Sequence, residues 1–115
     1  MITLYGIPNC DTVRKARRWL DTQGIAYRFH DFRKDGLDEA RLRAWVVELG
    51  WETLLNRSGT TWRSVPADIK AGLNTETAIA FMLQAPAAIK RPVLDTGEQR
   101  VVGFSEARYQ STFSR

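Results

Sequence analysis

The sequence predicts an α/β fold built on a four-stranded mixed sheet, and three observations support this prediction. A short apolar strand, an amphipathic helix and a second strand follow one another within the first 32 residues, which is the order of a βαβ unit. The middle of the chain is helical. Two strand-like segments then flank a Gly97-Glu98 turn and precede a final helix.

The first strand and helix are predicted from residues 2–23. An apolar run at residues 2–5 ends at Gly6, and a turn rich in proline and asparagine follows. A helix opens at Cys10 or Asp11 and stops before Gly24. Its apolar residues recur at helical spacing and predict a buried face: Val13, Ala16, Trp19 and Leu20.

A second strand is predicted at residues 25–32, where Tyr27, Phe29 and Asp31 alternate with the residues between them. Helices are then predicted up to Gly50, over residues 51–56, and from an N-cap at Asn74 up to Pro86. Residues 58–61 are predicted as a loop. We therefore expect a single domain over residues 1–115 with a helical insertion at about 37–85.

The last strands are predicted at residues 92–96 and 100–104, and Ser105 can cap the final helix. A right-handed parallel crossover joined to an antiparallel hairpin gives one sheet with helices on its faces, ordered as βαβ, helical insertion, ββα. This is the thioredoxin-like arrangement. Ligands of such open sheets bind beyond the carboxyl ends of strands, and Cys10 follows the carboxyl end of the first strand.

Composition narrows the class of protein. One cysteine among 115 residues excludes an internal disulfide, and with one histidine it leaves too few soft ligands for a zinc or iron–sulfur site. The net charge of +4 suits anionic ligands, but no dense basic run with interleaved aromatic residues predicts specific nucleic-acid binding. Without a basic leader or a long apolar run, we expect a cytoplasmic protein that does not enter membranes.

Cys10 is the main candidate for chemistry. At the start of a helix, unpaired backbone N–H groups and the helix dipole stabilise an anion, which favours the reactive thiolate and can also hold an oxyanion. The alternative is a buried structural cysteine, which is common for this residue type. Arg14, one turn into the helix, can add positive charge near the sulfur.

Four segments together resemble the family that includes ArsC arsenate reductase, the Spx regulator and the YffB proteins. They span the chain in order: Gly6-Ile7-Pro8-Asn9-Cys10-Asp11-Thr12, Leu54-Leu55-Asn56-Arg57, Ile89-Lys90-Arg91-Pro92 and Val102-Gly103-Phe104-Ser105. The segment Gly59-Thr60-Thr61-Trp62-Arg63 and the Gly103-Phe104-Ser105 ending resemble YffB most.

The resemblance implies that Cys10 is the nucleophile and that Arg57 and Arg91 match two arginines around the oxyanion of ArsC. Pro92 matches the cis-proline of thioredoxin-like folds. An arginine fork can bind an oxyanion or a glutathione carboxylate through two hydrogen bonds. The alternative for both arginines is a solvated surface position.

The substrate-binding group is completed by three residues of the first helix: Asp11, Thr12 and Arg14. The only histidine, His30, is a weaker candidate for a base, because an isolated histidine on a strand is usually structural or solvated.

Four features depart from the arsenate reductase pattern. Gly103 stands in place of a third oxyanion-binding arginine, Gly6 in place of a histidine near the sulfur, and Val13 in place of a hydroxyl residue. The redox-switching members carry Cys-x-x-Cys, but Val13 occupies the position of the second cysteine here. These departures argue against efficient arsenate reduction and require an external resolving thiol.

The leading hypothesis is a glutathione-dependent thiol oxidoreductase that uses the Cys10 thiolate, with no tightly bound cofactor, glutathione as co-substrate and glutaredoxin as a further partner. Its substrate is a small oxidised or oxyanion species. The alternatives are a glutathione- and glutaredoxin-linked arsenate reductase, and a non-enzymatic Spx-like regulator that binds RNA polymerase.

Overall fold

The computed structural model describes residues 1–114, which divide into two compact units. The sheet unit comprises residues 1–36 and the chain from Arg91 onward, and the helical unit comprises residues 37–90. The elements in chain order are β1 (Thr3–Gly6), α1 (Asp11–Thr22), β2 (Arg28–Asp31), α2 (Glu39–Leu49), α3 (Trp51–Leu54), α4 (Thr60–Arg63), α5 (Ala67–Ala71), α6 (Thr75–Gln84), β3 (Val93–Asp95), β4 (Arg100–Val102) and α7 (Glu106–Phe113). A 3₁₀ turn at Pro86–Ala88 follows α6.

The sheet unit contains one four-stranded mixed sheet in the order β2-β1-β3-β4. β1 pairs in parallel with β2, from Thr3 opposite Arg28 to Gly6 opposite Asp31. β1 pairs antiparallel with β3, and β3 pairs antiparallel with β4. This arrangement confirms the predicted α/β fold class and places the end of β1 at the start of α1.

The core of the sheet unit lies between the sheet and its two long helices. The predicted face of α1 is buried, with Val13, Ala16 and Leu20 fully excluded from solvent. These helix residues belong to the apolar side because they recur every three to four positions. Tyr109 of α7 is fully buried in the same core beside Leu94 of β3.

The helical unit is organised by helix caps and a second apolar core. Asp38 caps α2 by accepting from the backbone N–H of Arg41. Asn74 and Thr77 form a reciprocal capping box at the start of α6, as the predicted N-cap requires. The buried side chains between these helices include Leu42, Trp45, Leu54, Ile79 and Met82.

Several predicted boundaries were wrong. β2 is limited to Arg28–Asp31 because its partner β1 offers only four residues for pairing. The predicted loop at 58–61 instead leads into α4, and α5 was not predicted. Neither short helix has a buried residue, so no apolar stripe revealed them. None of the helices in residues 1–114 has the length and hydropathy needed to cross a bilayer.

Candidate active site

Cys10 is the N-cap residue of α1, with extended backbone angles of φ −110° and ψ 128°. Its carbonyl accepts the first helical hydrogen bond from the Arg14 N–H at 2.9 Å. The turn after β1 therefore leaves the sulfur at the end of the helix where backbone N–H groups have no helical partner. Cys10 is partly exposed, so its thiol is accessible from solvent.

The pKa of the Cys10 thiol is lowered from its ordinary value. Partial burial raises this pKa, but hydrogen bonding from the backbone N–H of Val13, the Arg91 side chain and the N–H of Thr12 outweighs burial. The positive charge of Arg91 lowers the pKa further. The surroundings of Cys10 therefore favour the thiolate.

Arg91 and Pro92 enter the site from the start of β3. The Arg91–Pro92 peptide bond is cis, as the family resemblance implies. Pro92 is fully buried, and the adjoining Val93 pairs with Tyr5 of β1. The sheet thus fixes the backbone that carries the Arg91 guanidinium toward Cys10.

Asp11 and Arg14 form an exposed ion pair on the first turn of α1. The Asp11 carboxylate lies beside the positive end of the helix dipole and balances the Arg14 guanidinium. Between the two arginines Arg14 and Arg91, only Arg91 contributes to the lowered pKa of Cys10. The predicted addition of positive charge by Arg14 is therefore offset by its neighbour.

Arg57 lies in the helical unit, after the bridge between Leu55 and Ile89. Its side chain is exposed, and its guanidinium lies 5.5 Å from the centre of the Trp51 ring. A cation over an indole face is held electrostatically while keeping its donors free to turn toward a ligand. The role of Arg57 toward an anion stays a prediction.

Gly6 and Val13 are coupled by a steric contact that sequence reasoning missed. A Cβ atom placed on Gly6 would lie 2.8 Å from Cγ2 of Val13, closer than carbon atoms tolerate. Both residues are buried next to the loop that carries Cys10. Two of the four departures are therefore one feature: Val13 fills the space that any side chain at position 6 would need.

Gly103, which stands in place of a third oxyanion-binding arginine, has no side chain to offer an anion. Its backbone N–H donates to the Pro92 carbonyl at 2.8 Å. It is thus engaged in holding the chain at the end of β4 against the start of β3. The register of this hairpin, which pairs Val93 with Val102 on either side of the Gly97-Glu98 turn, brings Pro92 and Gly103 opposite each other.

His30 has a structural role in the sheet unit. Its ring packs against Tyr5 and Phe32, with ring centres 4.8 and 6.2 Å away. Its Nε2 lies 2.8 Å from the Gly36 carbonyl, so this nitrogen carries the proton and donates to that oxygen. Within residues 1–114, no group of three or more histidine, cysteine or carboxylate side chains is arranged to hold a metal ion.

Comparison with known proteins matches the sequence pattern of the ArsC family to residues 5–112. A protein of Haemophilus influenzae named only as uncharacterized is 41% identical, with 99% of this chain and 100% of that protein covered. The global transcriptional regulator Spx of Streptococcus agalactiae is 25% identical, covering 100% of this chain and 85% of the regulator.

Two solved structures share the fold at higher identity. A structure named YFFB protein is 46% identical with a TM-score of 0.94, covering 99% of this chain and all of that one. An arsenate reductase (ArsC) related protein of Brucella melitensis is 45% identical with a TM-score of 0.81, covering 99% and 95%. The range matched to the family, residues 5–112, includes the positions of Cys10, Arg57 and Arg91.

Proposed function

The chain belongs to the ArsC family, and on that premise we propose that it is a glutathione-dependent thiol oxidoreductase whose nucleophile is the Cys10 thiolate. The observation that carries the proposal is the placement of Cys10 at the start of α1 beside the Arg91 guanidinium, which together favour the thiolate. A protein working by free thiolate suits a reducing compartment, and we place it in the cytoplasm.

The proposed reaction consists of two thiol–disulfide exchanges. The Cys10 thiolate attacks the glutathione sulfur of a mixed disulfide, a Cys10–glutathione disulfide forms, and the substrate leaves as a thiolate that takes a proton from water. A second glutathione thiolate then attacks the glutathione sulfur of the adduct. Oxidised glutathione leaves and Cys10 returns to the thiolate.

An external thiol is required because Cys10 is the only cysteine of the chain. Glutathione supplies that thiol, and glutaredoxin is the proposed protein alternative. Arg91 is suited to bind a glutathione carboxylate through its fork of N–H donors while its charge keeps Cys10 ionised. No tightly bound cofactor enters this scheme.

Intact-mass measurement after incubation with oxidised glutathione tests the proposal directly. We expect one glutathione adduct on the native protein, removal of that adduct by reduced glutathione, and no adduct on Cys10→Ser. Alkylation by iodoacetamide, followed against pH, should show a midpoint below that of glutathione measured alongside. A native protein that forms no adduct, or a midpoint at or above that of glutathione, would refute an activated sulfur.

Arsenate reduction is the second candidate, favoured by the name of the 45% identical Brucella melitensis structure. The sheet unit supports it less well, because Gly103 has no side chain, its N–H is engaged by Pro92, and Arg14 is paired with Asp11. Removing one oxyanion donor typically costs about 2.7–4 kcal/mol in the transition state. Arsenate-dependent oxidation of NADPH, with glutathione, glutathione reductase and glutaredoxin supplied, should be far slower than reduction of a glutathione mixed disulfide.

A regulator that binds RNA polymerase is the third candidate, favoured by the 25% identical Spx relative. Val13 occupies the position of a second switching cysteine, so the chain lacks an internal redox switch. Calorimetric titration with the C-terminal domain of the RNA polymerase α-subunit separates this candidate from the enzyme. Saturable binding by Cys10→Ser, together with absence of exchange activity in the native protein, would favour the regulator.

A further inference from the structure

A cavity in the sheet unit is lined by residues other than Cys10. It has a volume of about 340 Å³ and is lined by residues of α1 and of the segment that leads into α7. Trp19 and Phe104 form its apolar walls, while Lys15, Arg18 and Glu106 supply charged groups. This volume is at the lower end of the range for small-molecule sites, which suits a ligand of one ring system.

The walls of this cavity are held in place by Tyr109. The Phe104 ring meets the Tyr109 ring edge to face, with centres 4.7 Å apart. The Trp19 ring meets the same Tyr109 ring at 5.7 Å, again edge to face. Because Tyr109 is fully buried, both side chains rest on a packed core.

The charges at the cavity favour an anion. Lys15 and Arg18 lie three positions apart on α1 and therefore share a face of that helix. Neither has a carboxylate partner within 4.0 Å among residues 1–114, since the ion pairs of that part of the chain involve other cations. Glu106 offsets one of the two positive charges, so the lining is left with one excess positive charge.

We propose that this cavity binds a small aromatic carboxylate, with the ring in contact with Trp19 and Phe104 and the carboxylate bound by Lys15 and Arg18. Lys15 follows Cys10 by five positions, which turns it roughly 140° around the helix axis from the sulfur. The site is therefore separate from the proposed thiol chemistry and stands or falls independently of it.

Titration of ¹⁵N-labelled full-length protein with indole-3-acetate, followed by amide chemical shifts, tests this site. We expect saturable shifts confined to amides at and beside Lys15, Arg18, Trp19 and Phe104. Tryptamine, which carries a cation on the same ring system, should not bind. The double variant Lys15→Ala/Arg18→Ala should raise the dissociation constant at least roughly tenfold, as loss of charge-assisted hydrogen bonds predicts.

The matched control is Arg33→Ala/Lys34→Ala, which removes the same charge from an exposed turn and should leave binding unchanged. Equal binding of tryptamine, an equal loss in the control variant, or no saturable shift up to about 5 mM ligand would overturn the proposal. A blocked peptide with adjacent tryptophan and aspartate tests whether the site prefers a protein segment to a small aromatic anion. Tighter binding of that peptide than of indole-3-acetate would also overturn the small-molecule assignment.

Discussion

The sheet unit and the helical unit hold their arginines in different ways. In the sheet unit, Arg91 is half-buried and follows directly into the buried Pro92 at the start of β3, and its charge acts on Cys10. In the helical unit, Arg57 is exposed above Trp51, and Arg43 joins Glu39 and Glu76 on the surface. An arginine whose backbone is packed into the sheet can therefore act on a neighbouring reactive group. An arginine on the exposed surface interacts mainly with its surface neighbours.

The largest expected effect separates Arg91 from Arg57. Arg91→Ala should weaken glutathione binding by about 1.5–3 kcal/mol, because it removes a charge-assisted fork beside the sulfur. Arg57→Ala should have a smaller effect, since its side chain is exposed. Calorimetric titration with glutathione measures both, and Arg91→Lys keeps the charge without the fork. Unchanged binding in both alanine variants would exclude the two arginines from glutathione binding.

A second comparison uses one glycine from each unit. Gly6→Ala should destabilise the protein by about 1–3 kcal/mol, because its new Cβ overpacks Val13. Gly72→Ala in the helical unit meets its nearest atom, the Asp68 carbonyl oxygen, at 3.6 Å, which is ordinary contact. That variant should change stability by less than about 1 kcal/mol. Urea unfolding measures both changes.

The double variant Gly6→Ala/Val13→Ala sharpens the same comparison. Removing the Val13 methyl groups relieves the clash. The loss of unfolding free energy in the double variant should therefore be smaller than the sum of the losses in the two single variants. Simple additivity of the two single changes would show that the Gly6 effect has another cause.

The pH dependence of stability offers a smaller effect. Because the native pKa of Cys10 is lowered, the unfolded chain binds more protons between the two pKa values, and stability rises with pH across that interval. The contribution is complete above the unfolded pKa of about 8.5 and is lost as pH falls through the native pKa. Urea unfolding of native protein and Cys10→Ser at a series of pH values measures it.

Two further variants test whether this pH dependence of stability comes from the sheet unit. In the Arg91→Ala background, the stability difference between the Cys10 and Cys10→Ser forms should depend less on pH, since Arg91 helps to lower the pKa of Cys10. Arg57→Ala should leave the difference as it is. A dependence that is unchanged by Arg91→Ala would mean that the backbone N–H groups alone set the thiolate.

The smallest expected effect concerns Tyr109. Its hydroxyl is buried without a hydrogen-bond partner within residues 1–114, and burial raises the pKa of this phenol. Tyr109→Phe should therefore be neutral or stabilising by less than about 1 kcal/mol, because an apolar atom replaces an unsatisfied one. Calorimetric melting provides the measurement. A clear loss of stability would contradict an unsatisfied hydroxyl.

Most of the sheet unit could be predicted from sequence because its signals are local. Val13, Ala16 and Leu20 recur with the helical period, and Gly97 marks the hairpin. The limits of β2 could not be predicted, since they depend on how many residues of β1 are available for pairing. The short helix α4 could not be predicted because it has no buried apolar stripe. Its Trp62 ring packs on Phe81, which is a tertiary contact.

The candidate site also combines features that local sequence predicts with features that depend on the tertiary structure. Cys10 could be located from the strand, turn and helix around it, and the Val13 N–H was accessible in principle because N-cap groups bond to the third helical residue. The contact between Gly6 and Val13 depends on where β1 and α1 meet in space. The bond from Gly103 to Pro92 follows instead from the register of the β3–β4 hairpin, which pairs Val93 with Val102 around the predicted Gly97-Glu98 turn.

Gly103 limits how this protein could acquire new chemistry. Its backbone has a φ of +80°, a conformation that costs an ordinary L-residue about 1–2 kcal/mol, and its N–H already ties two strands together. Replacing Gly103 with arginine would therefore add a cation and strain the same hairpin that supports Pro92. A single substitution at this position is a poor starting point for engineering or evolving an oxyanion-reducing enzyme. Such a change would first require remodelling of the turn that follows β4.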